Sequence, residues 1–590
     1  MSTGGGVRTG DRTSTGTGDR TSTGTGDRTR TPLRVGNASG FYGDRFSAWQ
    51  EMLAGGDLDV LTGDYLAELT LLILGRDRMR DPDLGYARTF LRQLEGTLDT
   101  ARERGVRIVT NAGGLNPAGL AAAVRSLAHR LGLDLKVGYV EGDSLSRPNA
   151  LTANAYLGAF GIAAALDAGA DVVITGRVTD ASLVVGPAIA RFGWDHDDLD
   201  ALAGATVAGH LLECGAQVTG GNFSFFTELP DGGHRPGFPL AELHADGSAV
   251  LTKHPGTGGA VTIETVTAQL LYEVGAPAYL GPDVVTHLDS VRLTKDGPDR
   301  VRVSGVRGTP PPETLKVGVN NLGGFRNSMT FVLCGLDIPA KAALVRGQLE
   351  ETVGKEGLEF VLARTDHPDT ADTEAASALL HVHLRDGDKA RAGRAFSAAA
   401  VELALASYPG CTLTTLPGDA TPYGVFTADT VAQDGVEHVA VLPDGTRVPI
   451  PPPPRTQPAP PSPGTPVSGE GPAAHPTRRR VLGELVGARS GDKGGDANLG
   501  VWARTDASWE WLRGWLTVER LAELLPETAP LTVERYELPN LRAVNFMIRG
   551  LLGPGVAATT RFDPQAKALG ELLRSRMVQV PAELIPQGAS

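Results

Sequence analysis

The sequence predicts an α/β protein: a mainly parallel, doubly wound sheet, a second α/β lobe, and a small C-terminal α+β domain of ferredoxin-like type. Three observations predict it. Short apolar runs of strand length alternate with helical stretches from residue 33 to about 225, the pattern of a parallel sheet covered on both faces. The loops after those runs are polar and hold glycine. A proline-rich stretch, PPPPRTQPAPPSPGTP, sets off a last segment in which strands and helices are mixed.

The elements follow in chain order. Residues 1–30 repeat TGDRTSTG with almost no apolar side chains, so a disordered tail is expected there. In the first domain, 31–225, strands are expected at 33–35, 59–61, 106–110, 135–140 and 171–174. Helices are expected at 46–53, 65–74, 84–103, 117–131, 152–168, 180–192 and 207–214. Pro117 suits a first helical position and Asn116 the cap before it. The second lobe, 226–450, is less regular, with strands near 261–264, 291–293, 301–306 and 379–384 and helices near 340–353 and 395–406. A linker at 451–480 precedes the domain at 481–590. There strands are expected at 482–488, 499–503, 531–536 and 543–548, and helices at 509–525 and 565–576.

Composition bounds the function. The chain has 590 residues, too many for one core, and its apolar fraction of 41% is ordinary. A net charge of −13 argues against nucleic acid as a partner. No apolar run approaches the ~20 residues of a membrane span, and no secretory signal is visible at the N-terminus. The three cysteines, Cys214, Cys334 and Cys411, are widely spaced, which fits a reducing cytoplasm rather than a disulfide framework.

The loops after successive strands carry the functional expectation. They are GNASG (36–40), TGD (62–64), NAGGLNP (111–117), EGDS (141–144) and TGRVTD (175–180). In a parallel sheet they share one border, where ligands bind. Arg177 is placed there as a fixed positive charge, with Thr179 or Asp180 capping the next helix. The alternative is a capped turn whose arginine pairs with a nearby carboxylate. Asn111, Gly113, Gly114 and Asn116 precede a helix, and their backbone amides suit an anion, although the segment is not GxGxxG.

GARSGDKG (487–494) is not a Walker A loop: three residues separate its first glycines and Gly494 follows Lys493. Asp492, Lys493 and Asn498 read either as a charged hairpin or as a binder of phosphate or carboxylate. His210 and Cys214 stand four apart on a helix, the spacing of a nucleophile and its base, although a buried cysteine is more often a small core residue. His381 and His383 read as structural.

GNASGFYGDR, TGDYLAELTLLIL, IVTNAGGLNP, GYVEGDSL, DVVITGRVTDASL and HLLECGAQVTGGNF, in that order, resemble the acyclic terpene utilisation (AtuA-type) family. ARSGDKGGDANLGV and YELPNLRAVNFMI resemble the small ferredoxin-fold domain often fused to it. The resemblance implies a place in branched-chain and acyclic terpenoid catabolism through coenzyme A thioesters, alongside biotin-dependent acyl-CoA carboxylases. It hands over no nucleophile.

Three readings follow. The first is an enzyme acting on a CoA thioester or related carboxylate, with coenzyme A as part of the substrate rather than a cofactor. Its chemistry is hydration, lyase or hydrolytic. Arg177 would hold a carboxylate or thioester oxygen, Asp143 or Asp180 would move a proton, and Lys493 would bind the nucleotide phosphates. The second is a non-catalytic partner of acyl-CoA carboxylase subunits. The third is a hydrolase with a divalent cation on Glu141, Asp143 and Asp180. A homo-oligomer is expected.

Overall fold

A computed structural model describes residues 31–461, 464 and 476–585. The repeat tail lies outside the described residues, as does most of 462–475 of the linker. Five parallel strands form the centre of an eleven-stranded sheet. They are β1 (Leu33–Asn37), β2 (Val60–Gly63), β3 (Arg107–Thr110), β4 (Val137–Glu141) and β6 (Val172–Thr175), in the order β1-β2-β3-β6-β4. Their side chains explain the unbroken apolar runs. Val60, Val109 and Val173 enter one core with the helices Phe160–Asp167, Ser182–Phe192 and Leu199–Glu213. Leu61, Ile108, Val172 and Ile174 enter the other, with Ala48–Gly55, Arg88–Glu95, Leu98–Arg104 and Pro117–Arg130. Alternate residues therefore face opposite helical layers, and both must be apolar.

The edges of the sheet are antiparallel. Beyond β1 lie β7 (Pro239–Leu243), β8 (Ala249–Lys253), Arg300–Ser304 and Arg292–Gly297. Beyond β4 lie Val439–Val441 and Arg447–Pro449. The sheet thus takes strands from both sides of residue 225. A second, six-stranded sheet is built on one long strand, Thr314–Cys334, which pairs with Ser377–Asp386, Thr421–Ala432, Thr412–Leu413 and β5 (Ala150–Ala155).

The C-terminal domain is a four-stranded antiparallel sheet of two hairpins, Val486–Lys493 with Asp496–Ala503 and Val533–Leu538 with Ala543–Ile548. The helices Asp506–Trp515, Val518–Leu524 and Leu569–Arg574 share its core.

Several expected elements differ. The helix expected at 152–168 is the strand β5 followed by the helix Phe160–Asp167, because 150–155 pairs with the long strand. The stretch expected as a strand at 261–264 opens the helix Ile263–Leu270, with Thr262 and Thr265 forming a capping box. The helix expected at 84–103 is two, divided at Gly96 and Thr97. The helix expected from 180 starts at Ser182 without a side-chain cap, since Thr179 Oγ1 meets Ser182 Oγ at 2.6 Å and Asp180 turns to Arg177. Among the described residues no helix is long and apolar enough to cross a membrane.

Candidate active site

The five glycine-bearing tips lie at the carboxyl ends of the five parallel strands, on one border. Buried hydrogen bonds tie them together. Ser39 Oγ donates to the Asp64 carbonyl (2.9 Å), Asn111 Nδ2 to Asp64 Oδ1 (2.5 Å), and the Arg177 amide to Asp143 Oδ2 (3.0 Å).

Arg177 is 1% exposed. Its Nε donates to the Val178 carbonyl (2.8 Å), Nη1 to the Leu66 carbonyl (3.0 Å) and Nη2 to Asp180, and the guanidinium lies 4.4 Å from the Tyr156 ring centroid. Each arm already has a protein acceptor. The guanidinium thus pairs with a nearby carboxylate, Asp180, as the alternative reading has it.

Asp143 is sealed beneath Gly176, where a Cβ would lie 2.3 Å from its Oδ1. It accepts from the Arg177 amide and from Asn154 Nδ2 (2.7 Å), and burial pushes its carboxyl up to about 6. It shapes the turn that carries Asp180 and is not placed on a ligand surface.

The loop of residues 111–117 is closed as well. Asn111 is fully buried, with its Oδ1 taking the Tyr65 amide at 2.7 Å. Gly113 packs against the Thr175 carbonyl, and Gly114 adopts φ +53°. Asn116 caps the helix through the Gly119 amide (2.9 Å), as its type and position predict. The anion expected there finds the helix end already capped.

The chemistry gathers next to this border, where the end of the helix Leu199–Glu213, the loop of residues 271–280, the long strand and the C-terminal hairpin meet. His210 is 3% exposed; its Nδ1 meets Glu213 Oε1 at 2.8 Å. His210 Nε2 and Glu213 Oε2 have no well-aligned partner, though the Leu270 carbonyl is close to the ring. Burial drives His210 down to about 4 and, with Asp180 and Glu273, drives Glu213 well up. The two therefore sit together without net charge and share a proton. Cys214 does not pair with His210. It follows the helix as its C-cap, and burial together with Glu213 and Glu273 raises its thiol well above the ordinary range. That state is the reverse of an activated thiolate.

Other groups complete a charged wall. Lys316 stands 3.7 Å from Glu68 and 4.5 Å from the Tyr156 ring centroid. Burial acts to raise Glu68, but Lys316 and the residue's own amide outweigh it and the carboxyl titrates low. Burial and Asp180 hold Asp64 well above its usual range, against Arg177. Burial with Glu273 and Glu68 pushes Asp492 up to about 8. Lys493 donates to the Glu273 carbonyl at 2.9 Å, and burial and Lys316 lower its ammonium. Glu68, Asp180, Glu213, Glu273 and Tyr279 are half-buried, while Lys316 and Lys493 are exposed. These groups are crowded by protein yet keep part of their surface open to solvent.

Asn498 belongs to the domain junction rather than to a ligand. It is fully buried; its Oδ1 accepts the Glu273 amide (2.9 Å) and its Nδ2 donates to the Leu271 carbonyl (2.7 Å). His381 pairs with Thr330 Oγ1 at 2.9 Å in the second sheet, in keeping with its structural reading. The expected cation ligands do not converge: Glu141 pairs with Arg447, Asp180 with Arg177, and Asp143 with Asn154. Among the described residues no group of three or more His, Cys, Asp or Glu side chains is set to hold a metal.

The sequence reading missed Asp64, Glu68, Glu273, Tyr279 and Lys316. Asp64 had a signal, its place in a noted tip. The others lie in 226–450 or on a helix that read as buried, with nothing local to mark them.

The model of the acyclic terpene utilisation family protein AtuA matches residues 33–150 and 145–442. That of the AtuA ferredoxin-like domain matches residues 481–579. Comparison with curated proteins and with solved structures gave no significant match. With most of its length covered, the chain belongs to the acyclic terpene utilisation AtuA family and carries the ferredoxin-like domain as its C-terminal part.

Proposed function

We propose that the protein is a cytoplasmic enzyme of acyclic terpenoid or branched-chain acyl-CoA catabolism that acts on a CoA thioester by proton transfer. Hydratase or lyase chemistry fits best; hydrolysis is the other arm. The observation that carries this is the His210–Glu213 pair: a neutral imidazole fixed through Nδ1, with Nε2 lacking a well-aligned partner, on the wall of a cleft rich in proton-holding carboxyls. With a protonated Glu213 at Nδ1, the imidazole carries its own proton on Nε2, and the two together form a relay suited to giving and recovering a proton at a thioester. Lys493 and Lys316, open to solvent, supply positive charge for the ligand's anionic groups.

The test is a thermal-shift and turnover screen over acyl-CoA thioesters with wild type, His210→Gln and Lys493→Ala. The reading expects His210→Gln to bind with at least a hundredfold loss of turnover, and Lys493→Ala to bind more weakly. Binding without turnover for every thioester would favour the non-catalytic carboxylase partner. No binding at all would remove the thioester reading.

A further inference from the structure

The parallel sheet reverses its winding between β3 and β6. The chain leaves β3 for the helix Pro117–Arg130 on one face. It leaves β6 for Ser182–Phe192, and β4 by way of β5 for Phe160–Asp167, on the other. Neighbouring loops that part to opposite faces open a crevice beyond the carboxyl ends of the strands, where sheets of this kind take a ligand. A cavity of about 480 Å³ lies at this place, within the range of ligand pockets. Leu115 after β3 and Ser144, Ser146 and Arg147 after β4 flank it, with Arg78 from the helix Glu68–Arg80 and Thr152 from β5.

Two guanidiniums line the cavity, each braced and each with donors to spare. Arg78 Nη1 donates to the Leu115 carbonyl (3.0 Å), and among the described residues its Nε and Nη2 make no hydrogen bond and it has no ion pair. Arg147 gives Nε to Asp429 (2.9 Å) and Nη1 to the Ser146 carbonyl (3.2 Å), which leaves Nη2. The hydroxyls of Ser144 and Ser146 are on exposed residues and make no hydrogen bond among the described residues. Braced guanidiniums with spare donors, and hydroxyls beside them, suit the oxygens of a phosphate. Leu115 packs on the cluster of Leu66, Leu71 and Leu74 and gives the same cavity an apolar wall for a base.

The cavity and the charged wall stand at opposite ends of the same two elements. On the helix Glu68–Arg80, Glu68 meets Lys316 at 3.7 Å in the first turn, and Arg78 lies in the last, about 15 Å away at 1.5 Å per residue. Along β5, Thr152 lines the cavity, and Tyr156, just past the end of the strand, has Lys316 4.5 Å from its ring centroid. A smaller cavity at the Glu68 end of the helix is lined by Glu68, Leu72, Asn320 and Gly494, and Asn320 Nδ2 reaches across to Thr152 Oγ1 (3.1 Å). This span is of the length of a pantetheine arm, which separates the phosphates of coenzyme A from its sulfur.

We propose that the large cavity holds the phosphorylated nucleotide of the CoA thioester, with Arg78 and Arg147 on its phosphates, while Lys316 and Lys493 face the acyl end. On the thioester reading, on which this rests, the cleft then has a nucleotide end and an acyl end, and the phosphates belong to the two arginines rather than to Lys493. Calorimetric titration of the full chain tests it with three probes: coenzyme A, adenosine bisphosphate as its nucleotide half, and pantetheine as the part without a nucleotide. Wild type is expected to bind coenzyme A more tightly than pantetheine. Arg78→Gln and Arg147→Gln are each expected to weaken coenzyme A and the bisphosphate by about tenfold. Lys493→Ala is expected to leave the bisphosphate unchanged. Ser146→Glu sets an acid at an exposed loop position without removing a brace; it is expected to act as the arginine variants do, and it decides if either of them fails to fold by far-UV circular dichroism. Bisphosphate affinity indifferent to all three substitutions, or lost in Lys493→Ala, overturns the assignment, as does pantetheine binding as tightly as coenzyme A. Those results would leave His210-dependent turnover of thioesters standing. Bisphosphate held by Arg78 and Arg147 in a protein that turns over no thioester would keep the cavity and remove the thioester reading, and wild type that binds neither coenzyme A nor the bisphosphate overturns both.

Discussion

Asp143 and Arg177 show how closely the border is engineered at the level of single groups. The carboxyl of Asp143 has two donors, the Arg177 amide and Asn154 Nδ2, yet burial still pushes it from 3.8 up to about 6. The folded protein therefore keeps a proton that the unfolded chain releases lower on the pH scale. This contribution to stability is fully present below about pH 4 and is lost as pH rises through about 6. Two pKa units correspond to about 3 kcal/mol. Asp143→Asn should abolish that part of the pH dependence. In urea unfolding at pH 4, 5.5 and 7, wild type should lose up to about 3 kcal/mol more than the variant between the first pH and the last. Parallel stability curves for the two proteins would show that Asp143 does not titrate in this window.

At the scale of elements, the parallel strands were legible because each is largely buried on both faces and so reads as a mainly apolar run with glycine at or soon after its end. Their tips share a border for the same reason, and Asp64, Asn111, Asp143 and Arg177 meet there as the spacing implies. The strand β5 was not legible. Ala153 and Ala155 pair with Val319 and Val317, and nothing within residues 150–155 announces a partner so far along the chain. Glu273 was hidden similarly, since its left-handed backbone depends on Asn498 of another domain. The hairpin of residues 486–503 shows the converse, a local motif whose meaning is a contact. A Cβ on Gly491 would lie 2.4 Å from the Tyr272 ring, which also carries the Arg489 guanidinium 4.2 Å from its centroid. Gly491→Val should push the hairpin off the loop of residues 271–275 at a cost of about 1–3 kcal/mol. Amide exchange at Glu273 should rise accordingly. Gly514→Ala, in a helix with nothing within 4 Å of the added carbon, is the control and should be neutral or slightly stabilising. Equal effects of the two substitutions on exchange at 273 would detach Gly491 from the docking of the loop.

Across the whole molecule, the junction between the C-terminal domain and the rest combines apolar packing, in which Trp502, Leu538, Leu541 and Ala543 join the core of Phe223 and Phe225, with paired polar groups. Ser224 Oγ donates to the Ala488 carbonyl (2.8 Å) and accepts the Ala488 amide (3.0 Å), so it serves as a partner for an edge strand. Arg504 holds Glu228 and Glu264 at 2.8 Å and lies over the Phe225 ring. Asn498 and Asn545 add the buried part. Removing such partners leaves buried carbonyls and amides unmatched, each costing about 1–3 kcal/mol. The domain should therefore unfold together with the rest of the chain while the junction is intact and separately once it is broken. Tryptophan placement makes this measurable. Of the six tryptophans, Trp502, Trp509, Trp511 and Trp515 lie in the C-terminal domain, and Trp49 and Trp194 lie outside it. Fluorescence thus reports mainly on that domain, and far-UV circular dichroism on the whole. In wild type the two urea transitions should coincide. In Ser224→Ala/Asn545→Ala the fluorescence transition should shift to lower urea and precede the dichroism transition, with the slope of each reduced because each unit exposes less surface. If the transitions are already separate in wild type, or stay together in the variant, the junction does not couple the two parts, and the C-terminal residues of the cleft would have to be held in place by the cleft itself.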